Sequence, residues 1–503
     1  MPDDPIERTA YVDTFFKELS PTWLNYVVAL HGLQPCALDR PFAYAELGCG
    51  FGQTVVTNAA AFPGARFLAC DINPLHVEAA RRYADALAIR NLEVVGLPFD
   101  ELARRDLAPF DFVVLHGVYS WIGDEARNAV RAFIRRHLKP GGIAYVSYNT
   151  LPGWAVEIPL RRLFRELATN DGDDIHQALA RGLRSLDRLT DAKLAFFTAH
   201  PSMREVAKSF AKRAPGYLAH EYLGERWSAS YSVDVADDLR DADLHYIGSA
   251  TLADNHPALT TADDAAAAIA ALPTVRQRRL ADDFATNRSF RRDVFVRGAA
   301  ATTSATHLDQ VVIGRVGSAE SLEPRVRVPR GIVTFQDAFV DELRRLLARG
   351  PSTIGYIVDR LRDRASNASE VVRNLTILLA AGELMPFARP DAGDAPAGAR
   401  ERLDETARAV LAYAIEHRVA RALPSRTLGN GVEVQPLEAI ALTERLAGVF
   451  DVDTLARRVA ERARDAGHAT DISRIDESAH VVATKAIESL WPMLRRLGLL
   501  AAV

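Results

Sequence analysis

The stretch AYAELGCGFGQTVV, residues 43–56, sets glycines at 48, 50 and 52 between an apolar run and a helical pattern, with a carboxylate at Glu46 just before them. Glycine is favoured where a chain turns sharply or must let a ligand touch its backbone. The spacing departs from two phosphate-binding patterns. The dinucleotide fingerprint GxGxxG needs a glycine at 53, where Gln53 stands, and GxxxxGK[ST] is absent. What remains is ExGxGxG between a strand and a helix. It either holds a different ligand or is a plain structural turn, with Glu46 bonding loop amides or the ligand. Cys49, inside the loop, needs only to be small.

Outward from this loop, five short apolar runs alternate with helical patterns. The runs are 42–46, 65–70, 92–96, 110–115 and 143–148, with helices expected near 54–61, 75–88 and 125–138. Such a βαβ series predicts a parallel sheet covered on both faces, with ligands at the carboxyl ends of its strands. Two further strands, at 245–252 and 290–298, follow a mostly helical stretch, so the sheet is interrupted by an insertion and then resumes.

Asp71 ends the second run, in LACDINP, with Ile72 beside it. A carboxylate there can accept two hydrogen bonds from ribose hydroxyls, or cap the next helix. After the third run comes LPFDEL, where Phe99 can lie against a purine ring or join the core. Asp100 can accept from the purine amino group or cap a helical turn. LKPGG, 138–142, reads as a tight turn before the fifth strand.

Strand order, glycine spacing, Asp71, Phe99–Asp100 and LKPGG together resemble the class I S-adenosylmethionine (SAM)-dependent methyltransferases. FDFVVLHGVYSWI (110–122), VSYNTLPGW (146–154), YLAHEYL (217–223) and LHYIGSATL (244–252) are similar to signatures of a bacterial group in which a methyltransferase regulatory domain follows the catalytic sheet. The rickettsial protein-lysine methyltransferases belong to that group. FFKELSPTWLNYV, 15–27, departs from the tyrosine- and proline-rich opening of the lysine enzymes. The resemblance implies SAM as cofactor, S-adenosylhomocysteine as product and no metal. Its cofactor residues are Glu46, Gly48, Cys49, Gly50, Gly52, Asp71, Ile72, Phe99, Asp100 and His116. It implies SN2 methyl transfer, with a protein lysine amine as the leading acceptor. The alternatives are a methyltransferase of a small-molecule acceptor and a non-catalytic SAM-fold binding or regulatory protein.

For the transfer itself, aromatic faces attract a cation. The loops after the fourth and fifth strands offer Tyr119, Trp121, Tyr148 and Trp154, either as walls of a substrate slot or as core residues. The Asn149 carbonyl can orient an amine, and His116 is the nearby group that titrates in a useful range. These five, Tyr119, Trp121, Tyr148, Asn149 and His116, are the expected catalytic residues. His220 and Glu221 alone look like a pair on a helix surface.

The expected architecture is α/β: a Rossmann-like parallel-sheet core with a helical insertion, then a winged-helix-like module and a mainly helical C-terminal domain. The boundaries are an N-terminal helical lid at 1–41 and a methyltransferase domain at 42–300. That domain carries the insertion at about 155–230 and the regulatory region at about 217–300. A linker at 301–334, the winged-helix-like module at 335–390 and the C-terminal domain at 401–503 follow, with a second linker at 391–400.

The 503 residues are 48% hydrophobic and 25% charged, ordinary for a soluble protein with several domains, and carry a net charge of −4. That balance offers no global attraction to nucleic acid. The cysteines Cys36, Cys49 and Cys70 form neither a disulfide framework nor a zinc pattern. No apolar run is long enough for a membrane span, and the acidic opening has no signal-peptide pattern. A cytoplasmic enzyme with a protein acceptor is expected, the C-terminal domains offering surfaces for oligomerisation.

Overall fold

The computed structural model of the chain describes residues 13–169, 174–192, 194–298, 304, 306–365, 367–390, 401–467 and 475–502. Residues 1–12 and the second linker, 391–400, lie outside the described residues.

The apolar runs form strands β1 (Ala43–Leu47), β2 (Arg66–Asp71), β3 (Leu92–Gly96), β4 (Phe110–Leu115) and β5 (Leu138–Asn149), all mutually parallel. After the insertion come β6 (Leu244–Ser249) and β7 (Phe290–Arg297). The sheet order is β3-β2-β1-β4-β5-β7-β6, with β7 antiparallel to both neighbours. The order reverses between β1 and β4, which opens a crevice at the carboxyl ends of these strands. The glycine loop leaves β1 at that point.

Helices α1 (Pro21–Leu30), α2 (Gln53–Ala61), α3 (Pro74–Ala86), α4 (Phe99–Arg104) and α5 (Asp124–His137) cover the sheet. Ser20 caps α1 and Asn73 caps α3 through their side-chain oxygens, and each helix begins with proline, whose fixed φ suits the first turn. Tyr44, Phe67, Phe112 and Tyr145 pack one face of the sheet together with α1, α2 and α3. Leu68, Phe110, Val113, Val146 and Tyr148 pack the other face, with Phe133 and Ile134 of α5.

LKPGG is not a free turn. It enters β5 as an irregularity, with Phe110 opposite Leu138 and Phe112 opposite Ile143. The left-handed Gly141 (φ 74°) lets the extra residues fold out of the ladder. The strand expected over 245–252 ends at Ser249 and gives way to a short 3₁₀ turn, Leu252–Asn255.

The insertion is helical, with Glu157–Ala168 and Ile175–Asp191 as its longest pieces. The span 301–334, read as a linker, is structured where described. It holds a helical turn (Thr306–Asp309), a strand (Val312–Gly314) and a hairpin (Arg325–Val328 with Gly331–Thr334). Val312–Gly314 is the centre of a small sheet whose outer strands are Ser352–Thr353 and Met385–Phe387. The helices Asp337–Leu347, Ile354–Leu361 and Ala368–Ala380 accompany it. The middle strand of this module therefore comes from upstream, which the 335–390 boundary omits. The C-terminal domain is mainly helical but also carries a hairpin, Arg421–Ser425 with Asn430–Val434. That hairpin packs on α2.

Candidate functional site

A cavity of about 530 Å³ opens at the carboxyl ends of β1, β2 and β4. Glu46, Gly48, Cys49, Gly50 and Gly52 line it from the loop after β1, and Asp71, Ile72 and Phe99 from beyond β2 and β3. His116, Trp121 and Asn149 line it from beyond β4 and β5. Eleven of the sequence-predicted residues thus meet in one cavity; Tyr119, Tyr148 and Asp100 do not.

The loop is held from both sides. Gly48 and Cys49 donate their backbone N–H groups to the Cys70 carbonyl at 2.7 and 3.0 Å. Gly50 donates its N–H to Asp71 Oδ2 at 2.8 Å. Asp71 Oδ1 accepts from the Asn73 N–H at 2.9 Å and lies 3.4 Å from His76 Nδ1. A carboxylate has roughly four acceptor sites, so Asp71 keeps capacity for a ligand. Gly48 (φ 76°) and Gly52 (φ 76°) are left-handed, and a Cβ at Gly52 would stand 2.6 Å from the Ala80 methyl. At both positions the backbone conformation and the close approach call for glycine.

Glu46 is buried, and its Oε2 has no hydrogen-bond donor among the described residues. Burial, then the charge of Asp71, push its carboxyl up to about 8. Burial, then Asp71 and Glu46, raise the Cys49 thiol well above its usual range, so it stays protonated. The cavity therefore offers carboxylates short of a cation or of hydroxyl donors. Ile72, nearly half exposed, and Phe99 add apolar surface beside Asp71. Arg292, on β7, also lines the cavity and brings a positive charge to it. This set fits SAM, which carries an ammonium, a sulfonium, ribose hydroxyls, an apolar purine face and a carboxylate. Among the described residues no group of three or more His, Cys, Asp or Glu side chains is placed to hold a metal.

His116 does not titrate where the sequence suggested. Burial, then the Arg292 charge, push it down to about 3, so it is neutral at pH 7. Its Nδ1 lies 2.8 Å from the Tyr145 hydroxyl, and its ring stacks on Phe16 at 3.8 Å between centroids. It adds no positive charge beside a cationic ligand.

Tyr148 is displaced from the cavity by the pleat of β5. Successive side chains on a strand point to opposite faces. Asn149 faces the cavity, so Tyr148 faces the core, where its hydroxyl donates to Asp293 at 2.5 Å. Tyr119 is also buried, beside Tyr148, with Arg127 over its ring at 5.0 Å. Asp100 is exposed on the first turn of α4 and pairs with Arg104 at 2.9 Å.

The sequence reading missed several walls. From the insertion, Tyr217, His220 and Glu221 join Trp121 and Trp154. Glu221 is not on a helix surface. A π-helical turn, Ala219–Leu223, turns it inward, and such turns recur at functional sites. Its Oε2 accepts from Trp227 Nε1 at 2.9 Å and from Asn149 Nδ2 at 3.1 Å. Burial raises its carboxyl above the usual range, while the hydrogen bonds from Trp227 and Asn149 temper the rise. Asp13, Thr14 and Phe16, from the segment before α1, and Ser289, Phe290 and Arg292, from β7 and its approach, complete the wall. The YLAHEYL motif was the one signal for Glu221.

Residues 45–144 match a family model described as a methyltransferase domain, and residues 214–297 match one described as a predicted methyltransferase regulatory domain. The uncharacterized protein sll1526 of Synechocystis is 31% identical over 435 residues, 86% of this chain and 85% of that protein. The uncharacterized protein RP028 of Rickettsia prowazekii is 28% identical over 226 residues, 45% of this chain and 89% of that protein. The structure of PKMT2 from Rickettsia typhi in complex with AdoHcy superposes with a TM-score of 0.70 at 21% identity. It covers 97% of this chain and 99% of that one, a likeness of fold across the whole molecule.

Proposed function

This chain belongs to the SAM-dependent methyltransferases that carry a methyltransferase regulatory domain, and on that premise we propose that its acceptor is the amine of a protein lysine. One observation carries the reading. Glu221 is a buried carboxylate among Trp121, Trp154, Tyr217 and His220, in the same cavity as the glycine loop. A long side chain ending in a cation suits that slot: aromatic faces attract the ammonium, and the carboxylate pairs with it.

Glu46 and Asp71 accept from the cofactor's donor groups, Ile72 and Phe99 cover its apolar face, and Arg292 stands opposite in charge to its carboxylate. SAM, when bound, supplies an electrophilic methyl group. The chain's own task is to present a neutral amine in a dry slot, because the free lysine amine has a pKa of about 10.4 and arrives protonated. The raised affinity of Glu221 for a proton makes it the acceptor of the ammonium proton, which frees the nitrogen lone pair. Asn149, its amide nitrogen committed to Glu221, offers its carbonyl oxygen to the remaining N–H. Positioning and exclusion of water then lower the barrier, with no metal required.

The three cysteines are free, which suits the reducing cytoplasm in which we place the reaction. Among the described residues no helix is long and apolar enough to cross a membrane.

The test is to incubate cell lysate with the enzyme and methyl-labelled SAM, precipitate protein and hydrolyse it. Label recovered as methylated lysine is the expected result; label confined to the acid-soluble fraction overturns the reading. Glu221→Gln is expected to lower kcat by about 10²-fold or more while cofactor affinity stays near wild type.

A further inference from the structure

We propose that Asp13, on the segment leading into α1, is a cofactor-binding residue, and that Arg421 of the C-terminal domain is the positioning residue that holds it at the cavity. These residues stand far apart in the sequence, and none of the family matches covers either one.

The segment is fixed over the glycine loop. The Phe16 N–H donates to Thr54 Oγ1 at 3.0 Å, and the Phe16 ring stacks on His116. Asp13 lines the cavity with Thr14 and Phe16. Its two carboxylate oxygens are in different situations. Oδ2 pairs with Arg421 at 2.7 Å, with the two side chains 20% and 6% exposed. Oδ1 is buried and has no hydrogen-bond donor among the described residues. A buried acceptor without a donor is costly unless a ligand supplies one. The cofactor that fills this cavity carries ammonium, hydroxyl and amino donors.

Arg421 is itself rigidly placed. Its guanidinium lies over the rings of Tyr83 and Tyr413, at 5.0 and 5.1 Å from their centroids, and donates to the Ala420 carbonyl at 2.8 Å. The same Ala420 carbonyl accepts from Gln53 Nε2 at 3.1 Å, and Gln53 follows the last glycine of the loop. The dipeptide Ala420–Arg421 thus grips the first turn of α2 with one group and Asp13 with the other.

The rest of the C-terminal hairpin secures this grip. Asn430 Nδ2 donates to the Lys17 carbonyl at 3.0 Å and to Ser20 Oγ at 2.8 Å, and Thr22 Oγ1 donates to the Gly429 carbonyl at 3.1 Å. A Cβ on Gly431 would stand 2.6 Å from the Thr57 side chain and 3.0 Å from Phe15, so glycine is what lets the hairpin come this close. The C-terminal domain therefore completes the cofactor site indirectly, through a charge it pins rather than a contact it makes.

The experiment measures SAM and S-adenosylhomocysteine binding by calorimetry on the full chain, with kcat, the KM for SAM and thermal melting on the same samples. Asp13→Asn, Arg421→Gln, Arg421→Lys and the Asp13→Asn/Arg421→Gln double variant are compared. Asp13→Asn is expected to weaken cofactor binding by about tenfold and raise KM for SAM, with kcat at saturating SAM near wild type. Arg421→Gln is expected to do the same, the double variant to be no weaker than either single, and Arg421→Lys to recover most of the affinity. Unchanged affinity in Asp13→Asn overturns the proposal, and that variant carries the test alone if Arg421→Gln does not fold. A fall in melting temperature with Arg421→Gln at unchanged affinity, or additive losses in the double variant, overturns the positioning role.

Discussion

The carboxylates of Glu46 and Asp71 stand at the ends of adjacent parallel strands and line one cavity, and burial together with the Asp71 charge holds Glu46 up to about 8. Below that pH the free enzyme carries Glu46 mostly protonated. A cationic ligand beside it favours the ionised form, so binding and ionisation are linked.

SAM affinity is therefore expected to rise with pH up to about 8 and then level off. Calorimetry from pH 6 to 9 checks this, and Glu46→Gln flattens the profile and weakens binding by about tenfold at pH 8. The sign for stability is opposite. The folded state of the free enzyme holds the Glu46 proton up to about 8, whereas an unfolded carboxyl loses it near the usual glutamate value of 4.5. Between those pH values the folded state binds more protons, so raising pH erodes stability. Glu46→Gln is thus expected to melt no lower than wild type at pH 8 without cofactor.

Asp71 receives the Gly50 and Asn73 N–H groups as well as facing the cavity. Asp71→Ala removes a charged acceptor from both the ligand and the loop. Cofactor affinity is expected to fall by roughly 10- to 100-fold, with far-ultraviolet circular dichroism unchanged.

Gly48 combines a positive φ with contact to Val118, and Val118 lines the cavity. Gly48→Ala forces a Cβ onto the Val118 side chain at a cost of about 1–3 kcal/mol in strain. A lower melting temperature and weaker SAM binding are expected together, measured on the same preparation.

Tyr148 and Trp121 separate stability from transfer. Tyr148→Phe removes one donor from Asp293, which keeps Arg279 and Arg291 as partners. Urea unfolding is expected to show a loss of about 0.5–1.5 kcal/mol with kcat little changed. Trp121→Phe shrinks the aromatic wall beside Glu221 and is expected to lower kcat by about tenfold.

The strands at 43–47, 66–71, 92–96 and 110–115, the glycine loop and Asp71 were legible in the sequence because each is a local property: a run of apolar residues, a turn that glycine permits, an acid at a strand end. Sequence alone therefore determined the methyltransferase sheet and the glycine-loop end of its crevice. It could not say that Tyr148 and Asn149 part company, because which face is core depends on how β5 pairs with β4 and β7. Nor could it bring Asp13, Glu221, Arg292 and Arg421 together, since each lies on a different segment and their meeting depends on long-range packing. Local patterning sets backbone conformation within a few residues. The cavity wall around Glu221 and the pair of Asp13 with Arg421 arise only when distant segments close on one another around a common core.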